Sequence, residues 1–203
     1  MVNSVIYIGK CGGATTKQIL NINNIEHQEV HLTKPVFNEN YKYVIIIRNP
    51  IDRFISAFNW RYKLVVSDKT QENRFIGEKD TLIKYDNVNN LAENITRFDI
   101  NKSYIHHIYE DINFYLDDFL GKCKKGNIIG IVTQEDLEHD IEHIFNICVK
   151  NIHKNKNNTI IDKYISNTGY DLLKHYLYKD YECIDKLFAM GCLSDKQYNI
   201  LSK

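Results

Sequence analysis

Two short stretches of this chain carry residue types that hold anions, and each follows an apolar run. The first is Gly9-Lys10-Cys11-Gly12-Gly13-Ala14-Thr15-Thr16, directly after Val5–Ile8. Gly12 and Gly13 let the backbone approach an anion closely, and the N–H groups of a following helix would point at it. Lys10 adds a mobile positive charge. The second stretch is Arg48-Asn49-Pro50 after Tyr43–Ile47, with Arg53 and Ser56 beyond it. An arginine leaving a strand can hold a phosphate through a forked, charge-assisted bond, and Ser56 is spaced to reach the same phosphate. Two anion sites at the ends of neighbouring strands imply a ligand with two separated anionic groups. The plainer readings are a glycine-rich strand-to-helix connection for the first stretch and a helix-surface ion pair for Arg53. The first stretch is not a Walker A loop, in which Gly-Lys-[Ser/Thr] directly precedes the helix; here the lysine comes before the glycines.

Other chemistries are weaker. Cys11 beside a helix start suits an activated thiol, but a phosphatase-type loop needs Arg after five intervening residues, and Lys17 stands there. His139-Asp140-Ile141-Glu142-His143 fits the His-x-x-Glu-His pattern of some zinc proteases. Its charged residues alternate with Leu137, Ile141, Ile144 and Phe145, so a solvated helix face is the simpler reading. His106 and His107 stand side by side after the polar stretch, and nothing beyond that position assigns them a role. Trp60 is the single tryptophan and suits either stacking on a ligand ring or core packing.

The elements that must position these residues read as alternating strands and helices. Val5–Ile8 and Tyr43–Ile47 are apolar and β-branched, as buried parallel strands are. Glu29–Leu32 is a short strand between them, and Asn127–Val132 is a fourth. Thr15 or Thr16 would cap a helix running to about Leu20. Pro50 sits where a first-turn proline belongs, and Ile51, Phe54, Ile55 and Phe58 continue a helical stripe to about Tyr62. Residues 64–101 are polar and weakly periodic, with only Asn90–Phe98 helical. Short helices fall within Ile105–Leu120. A long amphipathic helix runs from Leu137 to Cys148, a polar loop covers Asn151–Asn158, one helix spans Tyr170–Met190, and a last short one follows Ser194. This pattern predicts an α/β fold with a doubly wound parallel sheet.

The chain has 203 residues, enough for one domain with a substantial core. Lys+Arg and Asp+Glu are both 26, so no global field draws it to nucleic acid or an anionic membrane, and anion binding must be local. Five cysteines, an odd count without C-x-x-C spacing, point to a reducing compartment. No stretch reaches the length of a membrane span and no signal pattern opens the chain, so a cytoplasmic location is expected. Three Asn-x-Ser/Thr triplets, at Asn94, Asn101 and Asn157, read as chance in so Asn-rich a sequence.

Together the two anion stretches resemble sulfotransferases that use 3′-phosphoadenosine 5′-phosphosulfate (PAPS), most closely the branch containing carbohydrate O-sulfotransferases. The family's first motif reads roughly Pro-Lys-Thr-Gly-Gly-Thr-Ser; this chain has Gly9-Lys10-Cys11-Gly12-Gly13-Ala14-Thr15. The second reads Arg-Asp-Pro, Arg-Phe, Ser-Ala-Tyr; here stand Arg48-Asn49-Pro50, Arg53-Phe54 and Ser56-Ala57-Phe58. Gln134-Glu135-Asp136-Leu137 is similar to the Glu-Asp-Leu signature. His153-Lys154-Asn155-Lys156 resembles the late His-x-Asn-x loop, and Tyr178-Lys179-Asp180-Tyr181 the closing Tyr-x-x-Asp-Tyr helix. The resemblance implies a single P-loop-like domain over residues 1–203, a three-layer sandwich whose central parallel sheet is flanked by helices, with 64–125 as a variable acceptor-recognition region. It implies that Lys10, Cys11, Gly12, Gly13, Ala14, Thr15 and Thr16 hold the 5′-phosphosulfate. Arg48 and Ser56 would hold the 3′-phosphate, and Lys154 would close over the nucleotide.

The implied reaction is in-line sulfuryl transfer to an acceptor hydroxyl, on a glycan by the branch resembled, leaving 3′-phosphoadenosine 5′-phosphate (PAP) and needing no metal. Lys10 would stabilise the leaving phosphate oxygen. The general base is placed by the resemblance shortly after the second strand. His31 is the first choice, with Glu29, which alternation puts on the same face, and Glu26 as alternatives. Cys11 and Ala14 depart from the family's Thr or Ser, and Ala14 removes one hydroxyl from the sulfate cradle. Two other functions stay open: a nucleotide- or glycan-binding protein without turnover, and an ATP-dependent P-loop kinase, for which the Walker lysine is missing.

Overall fold

The computed structural model describes residues 4–96, 102–149 and 162–203. Four strands form one parallel sheet: β1 (Ser4–Tyr7), β2 (Gln28–His31), β3 (Tyr43–Ile47) and β4 (Ile128–Thr133), in the order β2-β1-β3-β4. Every residue of β1 and β3 is buried, because the central strands of a parallel sheet are covered on both faces. The sheet is flanked by helices, giving the expected α/β sandwich.

Strand order reverses between β1 and β3, since β1 leads outward to β2 and the chain then crosses back to β3. Ligands in such sheets bind at the carboxyl ends of the strands at that reversal. The register puts Tyr7 opposite both His31 and Ile46, and Ile46 opposite Val132. All four carboxyl ends therefore emerge at one edge, carrying His31, the Gly9–Gly12 loop, Arg48 and the Gln134–Glu135 turn.

Helix α1 (Gly13–Ile22) follows β1 and α2 (Pro50–Tyr62) follows β3. The α2 start is as expected: Pro50 is in the first turn, and the Asn49 side chain accepts from the N–H groups of Ile51 and Asp52. The α1 start corrects the expectation of a threonine cap. Gly12 is the capping residue, at φ 89 with no side-chain cap, while Thr15 and Thr16 lie inside the helix and the Thr16 hydroxyl donates to the Gly12 carbonyl.

Residues 64–96 hold more structure than their sparse apolar pattern implied. After a π-helical turn at Lys63–Ser67 come α3 (Glu78–Tyr85) and α4 (Val88–Asn94). Val65, Leu82, Val88 and Leu91 join Phe54, Phe58 and Leu173 in a second apolar core, separate from the one around the sheet. A buried ion pair ties α3 to α2: Arg61 Nε and Nη2 donate to Glu78 Oε1 and Oε2 at 2.8 and 2.6 Å. A short turn at Lys102–Ile105 leads into α5 (His106–Tyr109) and α6 (Ile112–Leu120), and α7 (Leu137–Phe145) follows β4, ending before Cys148. The single helix expected over Tyr170–Met190 is two, α8 (Asn167–Tyr176) and α9 (Tyr178–Ala189), divided at Leu177. The last helix, α10 (Asp195–Leu201), begins with a reciprocal Ser194–Gln197 cap. The polar loop at Asn151–Asn158 lies outside the described residues. Among the described residues, no helix is long and apolar enough to cross a membrane.

Candidate functional site

The β1–α1 loop is built to expose backbone amides. Lys10 and Gly12 both take positive φ, 68 and 89. For lysine that conformation is strained, and such strain concentrates at functional loops. Gly12 is favoured by its φ, and a Cβ there would meet the Leu137 and Gln134 side chains, Leu137 Cδ1 at 2.7 Å and Gln134 Cγ at 3.1 Å, so that they would have to shift. With no side chain capping α1, its first-turn N–H groups, from Gly13 to Thr15, remain to be satisfied by an anion or water.

Cys11 is fully buried beneath this loop, and its thiol sits 3.7 Å from the Gly9 carbonyl as donor. Burial pushes the thiol up to about 12, so the activated-thiol reading fails: the thiolate is not populated at neutral pH. Thr16 is likewise buried, with its hydroxyl proton committed to Gly12. Ala14 is exposed at the lip of the loop.

Lys10 sends its ammonium group toward α2. Its Nζ lies 4.3 Å from the centre of the Trp60 ring. Burial, and next the Arg48 cation, hold this lysine down to about 8. The contact joins the two anion stretches: Trp60 lies one helical turn beyond Ser56 on α2, and the Arg48 charge before that helix also acts on Lys10. Lys10 and Arg48 are thus neighbours, and Ser56 stands on α2 one turn before the Trp60 that Lys10 meets.

Arg48 is mostly shielded, at 18% side-chain exposure, and its Nε lies 3.9 Å from Glu135 Oε1. That is an ion-pair distance and too long for a hydrogen bond. The buried Arg48 Nε has no hydrogen-bond partner among the described residues. Glu135 spends the same oxygen on the Asn49 N–H at 3.0 Å. Burial pushes the Glu135 carboxyl above its ordinary value, with the Asn49 bond and Arg48 pulling the other way. A cavity of about 520 Å³ opens beside this pair, lined in part by Asn49, Asp52, Glu135 and Lys163. Glu135 was part of the Glu-Asp-Leu match, but nothing in the sequence paired it with Arg48.

Arg53 does not form a surface ion pair. It is 1% exposed, and its Nη2 donates to the Ile108 carbonyl at 2.7 Å, fixing α5 to α2. Near it, Asp180 on α9 and Asp111 before α6 form a buried carboxyl pair. Burial first, then the Asp111 charge, raises Asp180 to about 8. Asp180 Oδ1 accepts from the Asn113 N–H. The closing-helix aspartate is therefore an internal bracket rather than part of the exposed site.

His31 ends β2 at the same sheet edge, and its Nδ1 bonds the Tyr7 carbonyl at 3.0 Å. A carbonyl only accepts, so Nδ1 carries the proton and Nε2 is the basic nitrogen in the neutral ring. The alternative bases are less well placed. Glu29 is paired with Lys17 at 2.8 Å, and Glu26 precedes β2 at the opposite sheet edge from Lys10. On the far side of the loop, the His107 ring packs on Gly9, with Cε1 3.5 Å from an ideal Cβ there. Its Nδ1 is 3.9 Å from Glu110.

In the His139–His143 segment, both histidines are exposed, while the Asp140 carboxylate accepts from the Thr133 N–H and hydroxyl at 2.7 and 2.6 Å. Asp140 therefore braces β4 to α7. Lys154, expected to close over a nucleotide, lies outside the described residues. The five cysteines are all free.

The sequence matches a family model described as "Sulfotransferase family" over residues 4–183. Neither a curated protein nor a solved structure matches the chain. The family match spans most of the chain, which therefore belongs to the sulfotransferase family.

Proposed function

We propose that this sulfotransferase family member moves a sulfuryl group from PAPS to an acceptor hydroxyl, on a carbohydrate, by in-line transfer. The observation that carries this reading is the pairing of two unlike anion subsites at one sheet edge. One is an uncapped helix start with Lys10 beside it. The other is a mostly shielded Arg48 whose buried Nε lacks a hydrogen-bond partner. A nucleotide with a 5′-phosphosulfate and a 3′-phosphate supplies both anions, whereas a single phosphate leaves one subsite empty.

In this reading the amides of Gly13, Ala14 and Thr15 and the Lys10 ammonium hold the 5′-phosphosulfate. Arg48 and Ser56 hold the 3′-phosphate, with Arg48 exchanging its loose contact to Glu135 for a charge-assisted bond. PAPS supplies an activated sulfuryl group on a phosphate leaving group. Lys10 stabilises the charge that grows on that phosphate oxygen. His31 takes the acceptor proton at Nε2, with Nδ1 anchored on Tyr7. The chemistry asks for no metal. Cys11 and Thr16 shape the loop from beneath instead of touching the ligand, since both are buried.

The test is sulfate transfer from PAPS to a panel of glycans, lipid-linked sugars and tyrosine peptides, followed through PAP release. The account expects one acceptor class to turn over, with His31→Ala abolishing transfer while PAP still binds. PAP binding by wild type without transfer to any acceptor would favour the binding-only reading, to which Ala14, lacking the usual hydroxyl, lends support.

A further inference from the structure

Lys10 is expected to act as a cation on the leaving oxygen, yet it sits where a lysine is easily lost to the reaction. Its four-carbon stem has many rotamers. Its surroundings are partly desolvated, and the charge that acts on it most is another cation, Arg48. What holds it is the Trp60 ring, 4.3 Å from Nζ to the ring centre. The contact runs from the β1–α1 loop to the last turns of α2, so it ties the amine to the helix that carries Ser56 and follows Arg48.

We propose that Trp60 is a positioning residue for Lys10, its ring face holding the ammonium charged and on the α2 side of the loop, ready for the 5′-phosphosulfate. An aromatic face suits this task better than a carboxylate. It attracts the cation through its quadrupole without neutralising it, and it does not compete with the phosphate for it. Indole is the strongest of the aromatic partners. The other groups around this amine are Arg48 from the end of β3 and Cys11 from its own loop, while His107 packs on neighbouring Gly9. None of these supplies the stabilisation, because Arg48 repels the ammonium and Cys11 is protonated. The role assigned to Trp60 rests on the sulfotransferase reading; the contact itself does not.

Trp60 is the only tryptophan, so its emission reports the contact directly. In the unliganded wild type, emission excited where only tryptophan absorbs should show a step near pH 8, as Lys10 loses its proton, and Lys10→Met should remove the step. PAP affinity by calorimetry, from about pH 6 to about pH 10, then tests the role. In wild type it falls as Lys10 deprotonates. In Trp60→Leu the fall should begin about half to one pH unit lower, costing roughly twofold to fivefold in affinity near pH 8 and roughly threefold to tenfold well above it. In Trp60→Phe, which keeps a smaller ring, the shift should be smaller. An unchanged pH dependence in Trp60→Leu overturns the positioning role. An emission step that is absent, or that survives in Lys10→Met, overturns the contact. If wild type binds no PAP at any pH, the sulfotransferase reading falls instead, and the emission step alone decides the contact.

Discussion

The β1–α1 loop and the β3–α2 turn both end a buried parallel strand and both begin a helix, but they present positive potential by opposite means. The first works with backbone. Its helix start has no side-chain cap and Gly12 and Lys10 hold left-handed backbone, so in the proposed function amides meet the anion. The second works with side chains. Asn49 already caps α2, so its amides are spoken for, and the charge comes from Arg48 leaning toward Glu135. Each turn therefore depends on a different feature. Backbone subsites fail when a Cβ closes them, whereas side-chain subsites fail when a charge is removed and are tuned by the carboxylate beside it.

Closing the backbone subsite should have the largest effect. Gly12→Val places a branched side chain against Leu137 and Gln134 at a φ of 89. We expect PAP affinity to fall by about a hundredfold or more and stability by about 1–3 kcal/mol, read by calorimetry and thermal unfolding. Intact binding would mean the loop is not the subsite. Removing the charge at the other turn comes next. Arg48→Ala should weaken PAP by about 2–3 kcal/mol and adenosine 5′-phosphosulfate far less, because that ligand lacks the 3′-phosphate. Equal losses would erase the distinction between the turns.

Glu135→Gln should act in the opposite direction. With the competing carboxylate neutral, PAP should bind tighter by about 0.5–1 kcal/mol. The sign with pH follows from burial raising Glu135. As pH falls through its pKa the competitor neutralises and Arg48 is released, so the advantage of the Gln variant over wild type should shrink in acid and be full at neutral pH. A constant advantage would show that Glu135 acts only through the Asn49 N–H. The smallest effect belongs to Ala14→Thr at the lip of the loop. It restores one hydroxyl at an exposed position and should gain about 0.5 kcal/mol at most toward PAPS, with none toward ligands lacking the 5′-sulfate.

Both turns were legible in the sequence because their signals are local. Tyr43–Ile47 and Pro50 mark a strand end and a helix start within a few residues, and the glycines of the first loop follow their strand directly. What escaped was set by tertiary contact. Leu173, Tyr176 and Leu177 keep the apolar spacing across the break between α8 and α9, so periodicity alone reads one helix. The second core gathers apolar residues from separate segments, among which 64–96 contribute only scattered ones, and the buried Arg61–Glu78 pair beside it reads in sequence as polar surface. Arg53 looked exposed for the same reason: burial of a charge shows only once Ile108 arrives to accept its bond. The pairings of Glu135 with Arg48 and Trp60 with Lys10 join distant segments and leave no local trace.

Two unlike anion subsites for one nucleotide can be separated by calorimetric titration of wild type with PAP, ADP and ATP, with and without Mg²⁺. PAP should bind tightly without the metal, and ADP, which has no 3′-phosphate, much more weakly. Preference for ATP with Mg²⁺, or equal affinity for PAP and ADP, would contradict it.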